Sequence, residues 1–483
     1  MTSIGQRLGR LANILLLLGA ASCLLLFATM VWQHGMSLRY MVFLLLSLVF
    51  VFGTRMPESF KINGVLCGMS LAIAVYGVEL LLAYSGSAIA ALGAQAWLSF
   101  PQDANPRVAA ERMRTVHETQ QHFDTRSRLE VILDMRARGI NAFPDVFPMV
   151  LFEPASGISI QSSLVSNGEE FLPVAGMART TTVFCNESGE YVVYESDEHG
   201  FHNPRGIWAK QSAEIVALGD SYTHGVCVPS DKGFVAVVRS QHPKTINLGV
   251  NGHGPLTSLA TLKEYGPILK PKLVLWFYYE GNDLRDLDGW EKNSLLLRKY
   301  LTASFSQHLF ARQAEIDEKL RAFLDAAMAK AAAPVSLEKV LKLQHLRQTV
   351  QLFYDRRPTE QGLSAELVEY LRHTGAPAAP EDLQLFENIL GEAQATASTW
   401  SGQVVFVYLP TWERYRIPET ASQDRDKVLK IVDRLELPLI DLHPVFSAQS
   451  DPLALFPFRR YAHYNDAGHK LVGEEVIRRL AKM

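Results

Sequence analysis

The chain has 483 residues and a formal net charge of −3 at pH 7, which is long enough for at least two structural units that each bury a core. It carries no basic stripe, zinc-knuckle spacing or aromatic-interleaved Lys/Arg run, so the electrostatic footprint of a nucleic-acid binder is missing and nucleic acid is not expected as a partner. Mean hydropathy close to zero conceals an asymmetry, because the first 86 residues are overwhelmingly apolar and the rest has ordinary globular composition.

Three apolar runs open the chain: residues 11–32, residues 41–53 extending back to about Met36, and residues 62–84, which are apolar apart from Glu79. Each reads as a membrane-spanning helix, giving a membrane domain over residues 1–86 whose partner is the lipid bilayer. A cleaved signal peptide would end the first run in a small-residue pattern, and here two further apolar segments follow instead. Arg7 and Arg10 precede the first run and Arg55 and Lys61 separate the second from the third, against Arg39 alone on the other side. The bias places the N-terminus in the cytoplasm and everything beyond about residue 85 outside it, as in a multi-pass protein of a bacterial inner membrane with a periplasmic domain. Glu79 is costly in lipid and marks either a helix-packing contact or a place near the interface.

Residues 87–149 read as a helical juxtamembrane connector interrupted by Pro101, Pro106 and Pro144, and residues 150–212 as a lead-in of short β-type runs. Cys23 and Cys67 fall in the apolar runs, leaving Cys185 and Cys227 outside. An oxidising compartment permits those two to pair, although spacing alone leaves two free thiols open. From residue 213 to 483 short apolar runs alternate with helical stretches, the pattern of a parallel sheet covered by helices. Residues 290–399 break the rhythm with helix-period apolar residues and read as a helical insertion.

Four blocks stand at strand ends. EIVAL runs straight into GDSYTHG, which puts Ser221 where a buried strand turns into a helix, a setting for a nucleophile beside free backbone N–H groups. NLGVNGHGP places Gly252 where a backbone N–H can approach a developing oxyanion, and EGND places the Asn282 amide at the end of the apolar strand LVLWFYY. The glycine order is not that of a dinucleotide fingerprint, and neither a cofactor nor a metal is expected. In AHYNDAGH, His463 precedes the last helix and suits a general base for Ser221, whereas its rival His469 falls on that helix. His199 and His202 lack further ligands at recognised spacing and read as loop residues, and His224 and His253 read as either pocket-lining or solvated loop residues.

In this order and context the four blocks resemble the SGNH/GDSL hydrolase superfamily, over residues 214–482 with the insertion interrupting. The resemblance implies a flavodoxin-like three-layer α/β/α domain, a Ser221–His463 catalytic pair, and an oxyanion hole from the Ser221 and Gly252 N–H groups with the Asn282 side chain. The family's usual acid, two or three residues before the histidine, is absent: Arg460 and Tyr461 stand there. Asp441 or Asp451 could orient the imidazole from elsewhere, or a backbone carbonyl could do so in a dyad. The expected function is a membrane-anchored serine esterase or O-acyltransferase acting on acyl, above all acetyl, esters of envelope or secreted polysaccharide. Its partners would be an acylated carbohydrate or other ester and membrane components of envelope polysaccharide machinery. Two other readings stay open, a lipase or phospholipase and a non-catalytic module of a polysaccharide export or modification assembly.

Overall fold

The computed structural model describes residues 3–34, 41–84, 122–124, 126–331, 340–341, 343, 346–347 and 365–483. The chain divides into one unit of residues 1–90 with 335–348 and a second of residues 91–334 with 349–483. Most of the connector read over residues 87–149 therefore lies outside the described residues, as do residues 36–40 of the second apolar run.

The first unit is built on α1 (Ser3–His34), α2 (Met41–Gly53) and α3 (Glu58–Tyr84). Within α1 and α3, Arg7–Thr29 and Glu58–Leu81 are long and apolar enough to cross a membrane. At 13 residues α2 reaches only about 20 Å against a hydrocarbon core of ~30 Å. The described residues thus hold two helices of spanning length rather than the three expected, because α2 ends in the turn at residues 54–57 before Glu58 starts the next helix. Small residues set the packing. Ser47 donates to the Ala20 carbonyl at 3.1 Å, the Phe50 ring lies over Gly19, and Leu16 lies over Gly53, so α2 runs antiparallel to α1. The α3 residue Glu58 lies over Gly9, so α3 starts near the beginning of α1 and returns along it. Glu79 is fully buried, and its carboxylate accepts the Leu346 N–H at 2.6 Å. That is a packing contact inside the unit, which satisfies a group that would otherwise be costly there.

In the second unit, the Ser127–Glu130 capping box starts α4 (Arg128–Ala137). It leads into a three-stranded sheet of β1 (Ala142–Pro144), β2 (Thr181–Val183) and β3 (Val193–Glu195), with β1 parallel and β3 antiparallel to β2. The main sheet has five parallel strands: β4 (Ile215–Leu218), β5 (Thr245–Asn247), β6 (Leu273–Tyr279), β7 (Gln403–Leu409) and β8 (Leu439–Asp441). Their spatial order is β8-β7-β6-β4-β5. Counted from the first strand this is 2-1-3-4-5, the flavodoxin-like order, whose direction of winding reverses between β4 and β6.

Alternation along the strands explains the three layers. Ile215, Ala217, Leu275, Phe277, Val405 and Val407 pack with Phe234, Val238, Val472 and Val476, so one face is covered by α6 (Phe234–Gln241) and α12 (Asp466–Leu480). The intervening Val216, Leu218, Trp276 and Phe406 pack with Leu259, Leu262, Phe386, Ile389 and Ile431. The other face is therefore covered by α7 (Pro255–Leu269), α10 (Pro380–Ser398) and α11 (Arg425–Arg434). Further helices include α5 (Ser221–His224), α8 (Asp283–Gly289) and α9 (Gln313–Ala331). Residues 290–399 are mainly helical where described, but their last helix, α10, is the crossover between β6 and β7 and belongs to the sheet's own architecture.

Candidate active site

The nucleophile turn sits at the carboxyl end of β4, on the side of the switch point. Gly219 has φ +149°, and a Cβ there would stand 2.8 Å from the Phe277 carbonyl oxygen, so only glycine lets the chain turn so close to β6. Asp220 caps α5 by accepting the Tyr222 N–H at 3.0 Å. Ser221 then begins the helix, its N–H an orphan by position. Among the described residues, neither the Ser221 nor the Gly252 N–H donates to another group.

His463 precedes α12 and places its Nε2 2.9 Å from Ser221 Oγ. Its Nδ1 lies 3.0 Å from Glu187 Oε1, and its backbone N–H donates to Glu187 Oε2 at 2.9 Å. One buried carboxylate, its side chain 1% exposed, thus grips the histidine at ring and backbone together. An ionised carboxylate only accepts, so Nδ1 carries the ring proton and Nε2 is left to accept the serine hydroxyl proton. Glu187 comes from the loop between β2 and β3, a region the sequence presents only as lead-in. The carboxylate that contacts His463 is therefore that of Glu187, not of Asp441 or Asp451. Asp441 ends the edge strand β8 and pairs with Arg425 while accepting the His443 N–H, and Asp451 pairs with Arg459.

The second half of the site lies on the β6 side. Asn282 stands at the start of α8 just past β6, where its side chain makes no capping hydrogen bond, and its amide faces the Asp220 carboxylate. Asp220 also lies 3.3 Å from Ser221 Oγ. Burial pushes this carboxyl up to about 6, against the opposing pull of the Tyr222 N–H, His463 and Asn282. Gly252 has φ +70°, and a Cβ there would meet the Phe147 ring at 3.0 Å. Its loop is tied to the nucleophile turn: Val250 donates to the Gly219 carbonyl at 3.2 Å, and the Asn251 N–H donates to His224 Nδ1 at 3.0 Å. Ser221, His463, Asn282 and the Gly252 loop therefore converge on the same strand ends.

Four further histidines, His202, His224, His253 and His469, are buried. His224 and His253 are buried rather than solvated, and burial drives His224 well below its usual range and His253 down to about 3. His224 bridges the Asn251 N–H to the Tyr194 hydroxyl, 3.1 Å away. His202 donates from Nδ1 to the His224 carbonyl, which leaves Nε2 to accept from Ser230, both at 2.8 Å. His469 is fully buried on α12, accepts the Phe234 N–H at 3.2 Å, and is pushed down to about 3 by burial. Among the described residues it makes no hydrogen bond to Ser221, whose hydroxyl is met by His463 instead. Cys185 and Cys227 form a disulfide, with the Cys227 sulfur and ligand atoms of Glu187 and His463 all within 4.8 Å of one another.

No protein-family model and no curated protein matches the sequence. Solved structures similar to the chain include a protein ascribed to the G-D-S-L family of lipolytic proteins from Desulfitobacterium hafniense DCB-2, at 14% identity and TM-score 0.29, covering 55% of this chain and 97% of that one. The lipase/acylhydrolase from Enterococcus faecalis matches at 16% identity and TM-score 0.28, covering 56% and 96%. The psychrotrophic esterase EstA from a Pseudoalteromonas species matches at 12% identity and TM-score 0.25, covering 56% and 96%. At such likeness the chemistry has to be read from the side chains of this chain.

Proposed function

We propose that the chain is a serine esterase or O-acyltransferase of the SGNH type, with Ser221 as nucleophile, His463 as general base and Glu187 as the acid that orients it. The observation that carries this reading is the continuous run from Ser221 Oγ through His463 to Glu187, with contacts of 2.9 and 3.0 Å. In the first step His463 Nε2 takes the serine proton as Oγ bonds to the ester carbonyl carbon. The carbonyl oxygen becomes an oxyanion facing the Ser221 and Gly252 N–H groups and the Asn282 amide; one such donor is typically worth ~10²–10³ in rate. Collapse of the tetrahedral intermediate expels the alcohol, which takes the proton from His463, and leaves an acyl-serine. Water or a sugar hydroxyl then gives up its proton to His463 and accepts the acyl group by the reverse sequence.

The substrate class follows from placement. Two helices of spanning length support an anchor in the bacterial inner membrane, and the return of α2 along α1 before α3 begins, taken with the Lys/Arg bias, supports a domain outside the cytoplasm. The Cys185–Cys227 disulfide supports the same assignment, because such bonds persist in oxidising compartments. An outward-facing tethered esterase suits acyl, chiefly acetyl, esters of envelope or secreted polysaccharide, with the lipid bilayer as its other partner. The reading of a non-catalytic module rests on the three apolar runs, the helical insertion and the missing acid, and for the last of these Glu187 offers a carboxylate. The test is hydrolysis of a short-chain aryl acetate by the detergent-solubilised full chain, with labelling of Ser221 by a fluorophosphonate. Turnover absent from Ser221→Ala and His463→Ala is expected; a wild-type chain that neither hydrolyses nor labels would overturn the reading.

A further inference from the structure

The carboxylate that grips His463 comes from a loop rather than from the main sheet. Residues 184–192 connect β2 to β3, and the pairing holds only at their ends, where Phe184 donates to the Val192 carbonyl at 2.9 Å and Val192 to the Cys185 carbonyl at 2.8 Å. Glu187 stands two residues beyond Cys185, where the loop leaves that pairing. On the other side of the bond, Cys227 stands six residues after Ser221, in the turn that follows α5. Its φ of +62° lies in the left-handed region that residues with a Cβ avoid. The disulfide bridges a sequence separation of 42 and therefore ties the acid-bearing loop to the nucleophile turn. Around it Phe184, Cys185, Tyr194, Val226 and Cys227 form a small buried cluster apart from the two large clusters that cover the sheet. Hydrogen bonds hold the outer part of the loop, from the Asn186 amide to the Asp124 carbonyl at 2.6 Å, from the Asp124 N–H to the Gly189 carbonyl at 2.8 Å and from the Tyr191 hydroxyl to the Arg126 carbonyl at 2.8 Å, while the disulfide is the covalent tie between the loop's base and the nucleophile turn.

We infer that the Cys185–Cys227 disulfide is a positioning element, which seats the Glu187 carboxylate on His463 so that full activity requires the oxidised pair. The inference rests on the serine-hydrolase reading. Catalytic groups must be held within ~0.5 Å of the productive geometry, and a shift of ~1 Å can cost ~10² in rate. Reduction by a dithiol such as dithiothreitol transfers two electrons, opening the S–S bond to two thiols while the dithiol closes to its cyclic disulfide.

The experiment measures aryl acetate hydrolysis and fluorophosphonate labelling by the full chain in detergent, before and after reduction and alkylation. A portion alkylated without reduction controls for Cys23 and Cys67, the free cysteines of the membrane helices. Reduction is expected to lower kcat of the parent by about 10- to 100-fold with little change in KM, and Cys185→Ser with Cys227→Ser to reproduce the loss with the circular dichroism unchanged. In a Glu187→Gln background the same reduction is expected to change kcat by less than about 3-fold, since a removed carboxylate cannot be misplaced. An equal fold-loss in both backgrounds, or no loss in the parent, would overturn the tether while leaving the hydrolase reading intact. An oxidised parent with neither turnover nor labelling would overturn both.

Discussion

Glu187 offers both oxygens of one buried carboxylate to a single histidine, and this fixes the imidazole tautomer as well as its orientation. Glu187→Gln is therefore expected to lower kcat by ~10²–10⁴ with KM little changed, in steady-state kinetics on an aryl acetate. His469 makes the opposite case. Its folded pKa lies at about 3, below the ordinary 6.5, so the folded state binds fewer protons than the unfolded chain between those values. The stability that depends on its neutral ring is complete above pH 6.5 and drains away as pH falls towards 3. His469→Gln should keep kcat yet lower stability by ~1–3 kcal/mol at neutral pH. The gap from the parent should then narrow in acid by up to about 1.4 kcal/mol per pH unit, measured by chemical denaturation. Sequence already sets Ser221 and His463 apart as a pair, because both occupy strand-end or helix-start positions whose chemistry is local. Glu187 was hidden because it lies 276 positions from its histidine, in a loop with no motif. The one available signal was Cys185, whose pairing with Cys227 carries that loop to the nucleophile.

Among the elements, the β4–α5 turn and the loop after β5 form one unit, joined by Val250 to Gly219 and by Asn251 to His224. Gly252→Ala would force a Cβ into the left-handed region and against Phe147. It is expected to cut kcat by ~10² or more while leaving the fold in place, which kinetics and circular dichroism together would check. The five parallel strands were legible because each is a short run with apolar residues bounded by turns, and all but the edge strand β8 are buried on both faces. The crossover α10 was not separable from the insertion, since an amphipathic helix shows the same period whether it covers a sheet or extends from it. The length of α2 was equally hidden, as apolar composition shows where a helix is stable and not how far it reaches.

For the whole molecule, the membrane helices and the hydrolase-like unit are each intelligible alone, and the disulfide carries the argument about compartment. A tag after Met483 is expected to be digested by protease added outside spheroplasts and protected in inverted vesicles; the reverse pattern would place the site in the cytoplasm. We propose that Ser221, His463 and Glu187 together perform acyl transfer. The most direct test is the rate of aryl acetate hydrolysis by the oxidised full-length chain beside Ser221→Ala, His463→Ala and Glu187→Gln. Clear turnover is expected in the parent, none above background in the first two variants, and a residual rate ~10²–10⁴ lower in the third. Parent activity that survives Ser221→Ala unchanged would contradict that assignment.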